Sequence, residues 1–320
     1  MHKGIGIKRY LKENMGILIG FAVLCTVLAI LSDSFLTPSN IVNVLRQAST
    51  NANLAIGLTL ALIINGIDLS VGSVLALSGT VTCGLIANNG VPIPIAIAIG
   101  LLLGTGIGFA SGKIISKTGI PPFIVTLAMM QIARGVAFVY TNGMPIRVMN
   151  EPFNFLGNGY LGPIPLPIIY TAILMIAVGY ILAKTKLGRH IYAVGGNIEA
   201  AKYSGVNIAR IQVFVYTLSG FLAAFTGIIL CARMYSGQPS VGNGYELDAI
   251  AASVLGGTSF SGGVGKIGGT LIGVLVIAVL NNGLNLMNVN SFWQLVAKGI
   301  VILVAVYFDL LKKKKVKVAN

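Results

Sequence analysis

Charged side chains are scarce. Lys, Arg, Asp and Glu make up 9% of 320 residues, 55% are hydrophobic, and the mean hydropathy is +0.88. A soluble domain of this length needs a far more charged surface, which excludes that class. Acids are the rarer sign, 8 against 22 Lys and Arg. The formal charge of +14 does not point to nucleic acid, because the basic residues sit in short segments flanking apolar runs. That distribution orients a membrane protein. There are 3 cysteines, and Cys25, Cys83 and Cys231 each lie inside an apolar run without paired spacing. They read as small packing residues, neither disulfides nor metal ligands. The 2 histidines, His2 and His190, fall in expected cytoplasmic segments. No nucleophile, metal cluster or acid and base pair is assembled, which leaves a membrane enzyme the weakest reading. An ion-coupled secondary transporter calls for acids or histidines within its spans. Asp68, Glu246 and Asp248 instead stand at span ends, and no span centre holds an acid.

What the chain has in abundance is long apolar runs, and they predict an all-α polytopic membrane protein. About ten transmembrane helices are expected, over residues 15–31, 41–64, 71–87, 93–115, 121–140, 167–182, 211–231, 246–257, 270–283 and 292–310. The eighth is short of the roughly 20 residues that cross a bilayer, so it is expected to be broken or re-entrant. The organisation is then a cytoplasmic segment at 1–14, a transmembrane domain at 15–310 and a basic cytoplasmic tail at 311–320. Lys and Arg counts support it: four before the first span, two at Lys113 and Lys117, five in the central loop, one at Lys266 and five in the tail, against Arg147 and Arg233 outside. Both termini are therefore expected in the cytoplasm.

Several breaks in the apolar pattern carry chemistry. NGIDLSVGS, residues 65–73, centres on Asp68, which reads more readily as a cap of the next helix than as a substrate contact. The fourth span carries Gly100, Gly104, Gly106, Gly108 and Gly112, a spacing that lets helices approach closely, within one subunit or between two. Arg134, inside the fifth span, should line a cavity or pair with a neighbouring helix. GGTSFSGGVGKIGG, residues 256–269, has Phe260 and Ile267 where a phosphate-binding loop needs Gly and Ser or Thr. Close helix packing is its expected role, and no nucleotide, metal or other cofactor is implied. The stretches at 55–79 and 249–273 echo one another as apolar run, Gly and Ser rich break, and apolar run, a hint of duplicated halves.

The longest polar interruption spans residues 183–212, with Lys184, Lys186, Arg189, Lys202 and Arg210 against Glu199 alone. It should face the cytoplasm. Gly195, Gly196 and Asn197 read as a turn, with Asn197 capping a short helix through Glu199, Ala200, Ala201 and Lys202 that Gly205 closes. Such a helix, held off the membrane, suits docking of a soluble partner.

NGIDLSVGS, PPFIVTLAMMQIARGVAFVYTNGMPI, GRHIYAVGGNIEAAKYSGVNIARI, GYELDAIAASVLGGTSFSGGVGKIGGT and LNNGLNLMNV together resemble the membrane permease of bacterial ribose-type ABC transporters, over nearly the whole chain. The resemblance implies import of a monosaccharide, ribose first among them, with other sugars or a furanosyl signalling molecule as alternatives. It implies an extracytoplasmic sugar-binding protein, a separate ABC ATPase subunit and a second permease copy, with alternating access between the copies. Residues 197–205 fall where the family's ATPase-coupling helix lies, and the outer segment between Met144 and Leu166 is where substrate-dependent variation is expected. Candidates for lining the sugar path are Asn65, Gln131, Asn281, Asn282 and Asn285, each of which also suits interhelical hydrogen bonding. Arg147 and Glu246 are candidates for touching the binding protein on the outer face.

Overall fold

The computed structural model describes residues 15–290, 292–301, 303, 304 and 307. The basic segments at 1–14 and 311–320, and with them the expected positions of the termini, lie outside these residues. In chain order come α1 (Met15–Leu31), α2 (Pro38–Ile63), α3 (Val71–Ala87), α4 (Ile93–Thr118) and α5 (Pro122–Thr141). An outer segment follows with β1 (Ile146–Arg147), α6 (Glu151–Asn158), β2 (Tyr160–Leu161) and β3 (Ile164–Pro165). Then come α7 (Leu166–Lys184), α8 (Lys186–Gly196), α9 (Ile198–Tyr203), α10 (Ile208–Met234), β4 (Ser236–Gly237), α11 (Tyr245–Leu255), α12 (Ile267–Leu286) and α13 (Phe292–Val301). By length and composition 5 of these helices can each cross a membrane, namely α4, α5, α7, α10 and α12. The protein is an all-α membrane protein.

The bundle is built around α10, which packs on α2, α3 and α4. Glycine spacing explains how closely. A Cβ on Gly104 would lie 2.9 Å from the Gly220 carbonyl oxygen, and one on Gly112 2.7 Å from the Val213 Cα. Gly100, Gly104, Gly108 and Gly112 thus form one face of α4 against α10 within the subunit, while Gly106 looks into open space. A buried hydroxyl cluster binds the other side of the bundle: Thr59 Oγ1 lies 2.7 Å from Thr270 Oγ1 and donates to Ser253 Oγ at 3.1 Å, joining α2, α12 and α11. In hydrocarbon, where water cannot substitute, such pairs hold helices together.

Two helices, α3 and the 11-residue α11, begin inside the bundle, and their placement organises the interior. The loop 64–70 before α3 reaches into the bundle. Asp68 Oδ2 accepts from Ser219 Oγ at 2.7 Å, and Ser219 stands near the middle of the 27-residue α10. α3 therefore starts deep in the bundle. α11 starts beside it, because a Cβ on Gly72 would lie 2.6 Å from Glu246 Oε2. α11 then runs to the glycine loop, and at 11 residues it is as short as the sequence implied.

The outer segment is folded. β1 pairs antiparallel with β4, Ile146 opposite Gly237, and Asn150 caps α6 by accepting from the Phe153 amide at 3.1 Å. Phe153 is buried, which ties this segment to the bundle.

Candidate functional site

A cavity of about 310 Å³ opens where α3 and α11 begin. Ser73 enters from α3, and Met130, Gln131, Arg134 and Phe138 from successive turns of α5. Ser240, Asn243 and Glu246 close it from the segment leading into α11. Arg134 is fixed: its Nη1 donates to the carbonyls of Pro239 and Val241 at 2.6 and 2.7 Å. This realises the expectation for an intramembrane arginine in both senses, since it lines a cavity and binds a neighbouring segment.

The acids correct the sequence reading in one respect. Asp68, Glu246 and Asp248 do stand at element ends, but these are ends of broken elements inside the protein. Asp68, 1% exposed, does not cap α3 through its first-turn amides. Its Oδ1 accepts from the Ser70 amide and hydroxyl at 3.0 and 2.6 Å, and Oδ2 from Ser219, so it pins the loop to α10. Glu246, expected on the outer face, is 9% exposed and lines the cavity beside Gln131. Asp248 is paired with Lys298 at 2.8 Å.

At the opposite end lies a helical hairpin of α8 and α9. The expected turn at Gly195 and Gly196 is instead the last turn of α8, an 11-residue helix capped by Thr185, which accepts from the Gly188 amide at 3.1 Å. Gly195 is needed for proximity: a Cβ there would collide with the Ile63 carbonyl and lie 2.7 Å from the Gly263 nitrogen. Asn197 does cap α9, accepting from Ala200 N at 2.9 Å, and Gly205 does close it at φ +79°. The hairpin is clasped to the glycine loop by Tyr192 Oη, which donates to Gly265 O at 2.6 Å, and that loop is held to the end of α2 by Gly263 N donating to Ile63 O at 2.8 Å. Burial raises the Tyr192 phenol above its ordinary value, which keeps it a donor.

On α9 one of the expected docking residues, Ala201, is turned inward. Ala201, 4% exposed, packs inward near Ile191 and Val194. Glu199, Ala200 and Lys202 face out together with Ile198 and Tyr203, the latter 87% exposed. Sequence reasoning missed Ile198 and Tyr203. The helical period carried no signal for Ile198: a stripe through 191, 194 and 201 would include 198, and the extended Asn197 breaks α8 from α9, so α9 sets its own face.

The remaining candidates are dispersed. Asn282 exchanges two hydrogen bonds with Asn40 at 2.8 and 3.0 Å, joining α12 to α2. Asn285 accepts from Gln294 at 2.8 Å, and Asn281 Nδ2 lies 3.5 Å from Asp248 Oδ2. Asn65, at φ +61°, sits at the exposed end of α2 against Gly262. Arg147 is exposed on β1. Gln131 is the candidate found in the cavity wall; Ser73, Phe138, Ser240 and Asn243 were missed, because depth within a bundle is not written in local sequence.

Comparison with known proteins gives a consistent picture. The model of the family described as branched-chain amino acid transport system / permease component matches residues 40–306. The chain is 48% identical over 299 residues to the ribose import permease protein of Bacillus subtilis (strain 168), covering 93% of this chain and 92% of that one. Identity to the ribose import permease protein of Escherichia coli (strain K12) is 46% over 306 residues, 94% and 95% of the two chains. The L-arabinose transport system permease protein of the same organism is 40% identical over 302 residues, 94% and 92% of the two chains. No solved structure matches.

Proposed function

We propose a transport role from one premise: the chain belongs to the family of branched-chain amino acid transport system / permease components. Within it, the chain is the membrane-embedded permease of an ATP-driven importer that carries a monosaccharide, ribose, across the cytoplasmic membrane. The higher identity to ribose permeases than to the L-arabinose permease favours ribose. ATP is hydrolysed by a separate ATPase subunit, and an extracytoplasmic binding protein delivers the sugar. Two permease copies enclose the path.

The observation that carries this reading is the cytoplasmic hairpin. α9 presents Ile198, Glu199, Ala200, Lys202 and Tyr203 outward on a frame clasped to the glycine loop. An exposed aromatic flanked by small and charged residues suits a groove on a soluble partner. A push on α9 would reach α11 through α8 and residues 256–266, and α11 begins at the cavity. This gives alternating access a mechanical route: the ATPase closes, the hairpin moves, and α11 shifts beside the path. The residues 1–14 and 311–320 add basic cytoplasmic ends to the single membrane domain. On the outer face, Arg147 remains available to the binding protein, whereas Glu246 is better assigned to the path with Gln131.

Proteoliposomes holding the permease, its ATPase and its binding protein test the proposal. ATP-dependent ribose uptake that persists when ion gradients are collapsed is expected. Uptake driven by an ion gradient without ATP would overturn it.

A further inference from the structure

We infer that the cavity between α5 and the starts of α3 and α11 is a transient binding station for a neutral polyol of pentose size, with Arg134 and Glu246 as donor and acceptor and Gln131 and Asn243 as the groups that discriminate between sugars. The inference rests on the transport reading and assigns it a site.

Size comes first. The cavity, about 310 Å³, stands at the small end of the roughly 300 to 1,000 Å³ of ligand pockets. Chemistry comes next. Its wall combines an aromatic face, Phe138, with planar polar groups: the guanidinium of Arg134, the carboxylate of Glu246 and the amides of Gln131 and Asn243. A sugar presents the same division, hydroxyls that both donate and accept around a ring with apolar C–H faces. The side chains of Gln131 and Asn243 form no hydrogen bond among the described residues, so they are available to a solute. Nη1 of Arg134 is spent on Pro239 and Val241. The other guanidinium nitrogens form no hydrogen bond among the described residues, so Arg134 keeps donors while its plane is held.

Charge decides against an ionic cargo. The wall holds one cation and one anion, so its net charge is zero, and a lone carboxylate or ammonium meets a like charge as well as an opposite one. An aliphatic zwitterion is the competing solute, because it would oppose its carboxylate to Arg134 and its ammonium to Glu246. Two features disfavour it. The loss of Nη1 to backbone carbonyls limits bidentate grip on a carboxylate. The neutral polar groups Ser73, Gln131, Ser240 and Asn243 would face an alkyl chain, and a buried polar group without a partner is costly. Placement supports transit over storage. Ser73 and Glu246 form the buried floor, Gln131 and Asn243 the exposed rim, and the floor carries the start of α11, the element linked to the cytoplasmic hairpin.

The test uses the full reconstituted complex. Gln131→Ala and Asn243→Ala are each expected to raise KM for ribose about three- to tenfold, one hydrogen bond's worth. They should also change the ratio of ribose to xylose uptake, which a merely structural role would not move; Gln131→Asn, which keeps the amide, should recover part of the effect. Asn243→Cys provides a second readout: ribose should slow its modification by a small thiol reagent severalfold, and leucine should not. Wild-type uptake with unchanged KM and sugar ratio in both alanine variants overturns the station. Protection by leucine and not by ribose overturns the polyol assignment. Absence of ATP-driven ribose uptake in the wild type would instead strike the transport reading, and the protection assay would still report what the cavity holds.

Discussion

The hydroxyl of Tyr192 donates to the carbonyl of Gly265 at 2.6 Å, and this bond joins the hairpin of α8 and α9 to the loop between α11 and α12. Around it, Gly195 lies flush against the end of α2, and Gly263 N bonds to Ile63 O at 2.8 Å. Three backbone segments distant in sequence therefore meet with no side chain between two of them. Such a junction transmits displacement well, because close-packed backbone has little room to absorb it.

Removing that hydroxyl alone should loosen the junction without unfolding it. Tyr192→Phe leaves the ring in place and costs one hydrogen bond, about 1 kcal/mol. The expected outcome is an ATPase that still co-purifies and still hydrolyses ATP, with less sugar moved per ATP. Unchanged transport stoichiometry in proteoliposomes would show that the bond is not on the coupling route.

Docking of the ATPase is expected to depend on the outward residues of α9. Ala200→Arg places a bulky charge on the exposed face, and Tyr203→Ala removes its one large aromatic. Both should lose ATPase in a detergent pull-down while membrane levels hold, since a surface change costs within about half a kcal/mol of stability. Ala201→Arg should behave differently. It forces a charge among Ile191 and Val194, so low membrane levels are expected. Wild-type pull-down by both Ala200→Arg and Tyr203→Ala would remove α9 as the docking element.

How much of this was legible in the sequence depended on the range of the interaction. The span boundaries were, because each is set by a local change in hydropathy: α1 and α3 fall on residues 15–31 and 71–87 as expected. The capping of α9 by Asn197 and its closure by Gly205 were legible for the same reason, both being local. Gly195 and Gly196 misled, because two adjacent glycines mark a turn on intrinsic propensity; here the helix persists through them, and Gly195 is required by contact with Ile63. The site was the least legible part. That Glu246 lies against Gly72, and beside Gln131, is a consequence of α3 and α11 both starting within the bundle. No window of sequence contains both.

Asp68 should prove structural. Its carboxylate accepts from the Ser70 amide, the Ser70 hydroxyl and the Ser219 hydroxyl, in a place 1% exposed. Asp68→Ala leaves those donors without a partner, each costing about 1 to 3 kcal/mol when buried. A fall in the detergent melting temperature is expected, with Ser219→Ala giving a smaller one. An Asp68→Ala protein that melts like the wild type yet fails to transport would move Asp68 from the scaffold to the path.

The pair Asp248 and Lys298 admits a sharper experiment, because theory gives opposite signs for breaking it and for replacing it. Asp248 Oδ2 lies 2.8 Å from Lys298 Nζ, with the aspartate side chain 3% and the lysine side chain 24% exposed. Lys298→Met leaves the carboxylate buried beside Asn281, whose amide nitrogen at 3.5 Å is a poor substitute. Stranding a buried charge costs on the order of 3 to 5 kcal/mol, somewhat less here because the lysine is partly exposed. Loss of membrane protein is therefore expected. In Asp248→Asn with Lys298→Met no charge is stranded, and exchanging a buried pair for neutral groups of similar volume is often close to neutral. Membrane level and melting temperature should return toward wild type in the double variant. If transport returns with them, the pair is a fastening between α11 and α13; if stability returns and uptake does not, the charges act in the α11 movement. A double variant as unstable as Lys298→Met would show that the pair's contribution is not electrostatic, and that the packing of α13 on α11 is at fault.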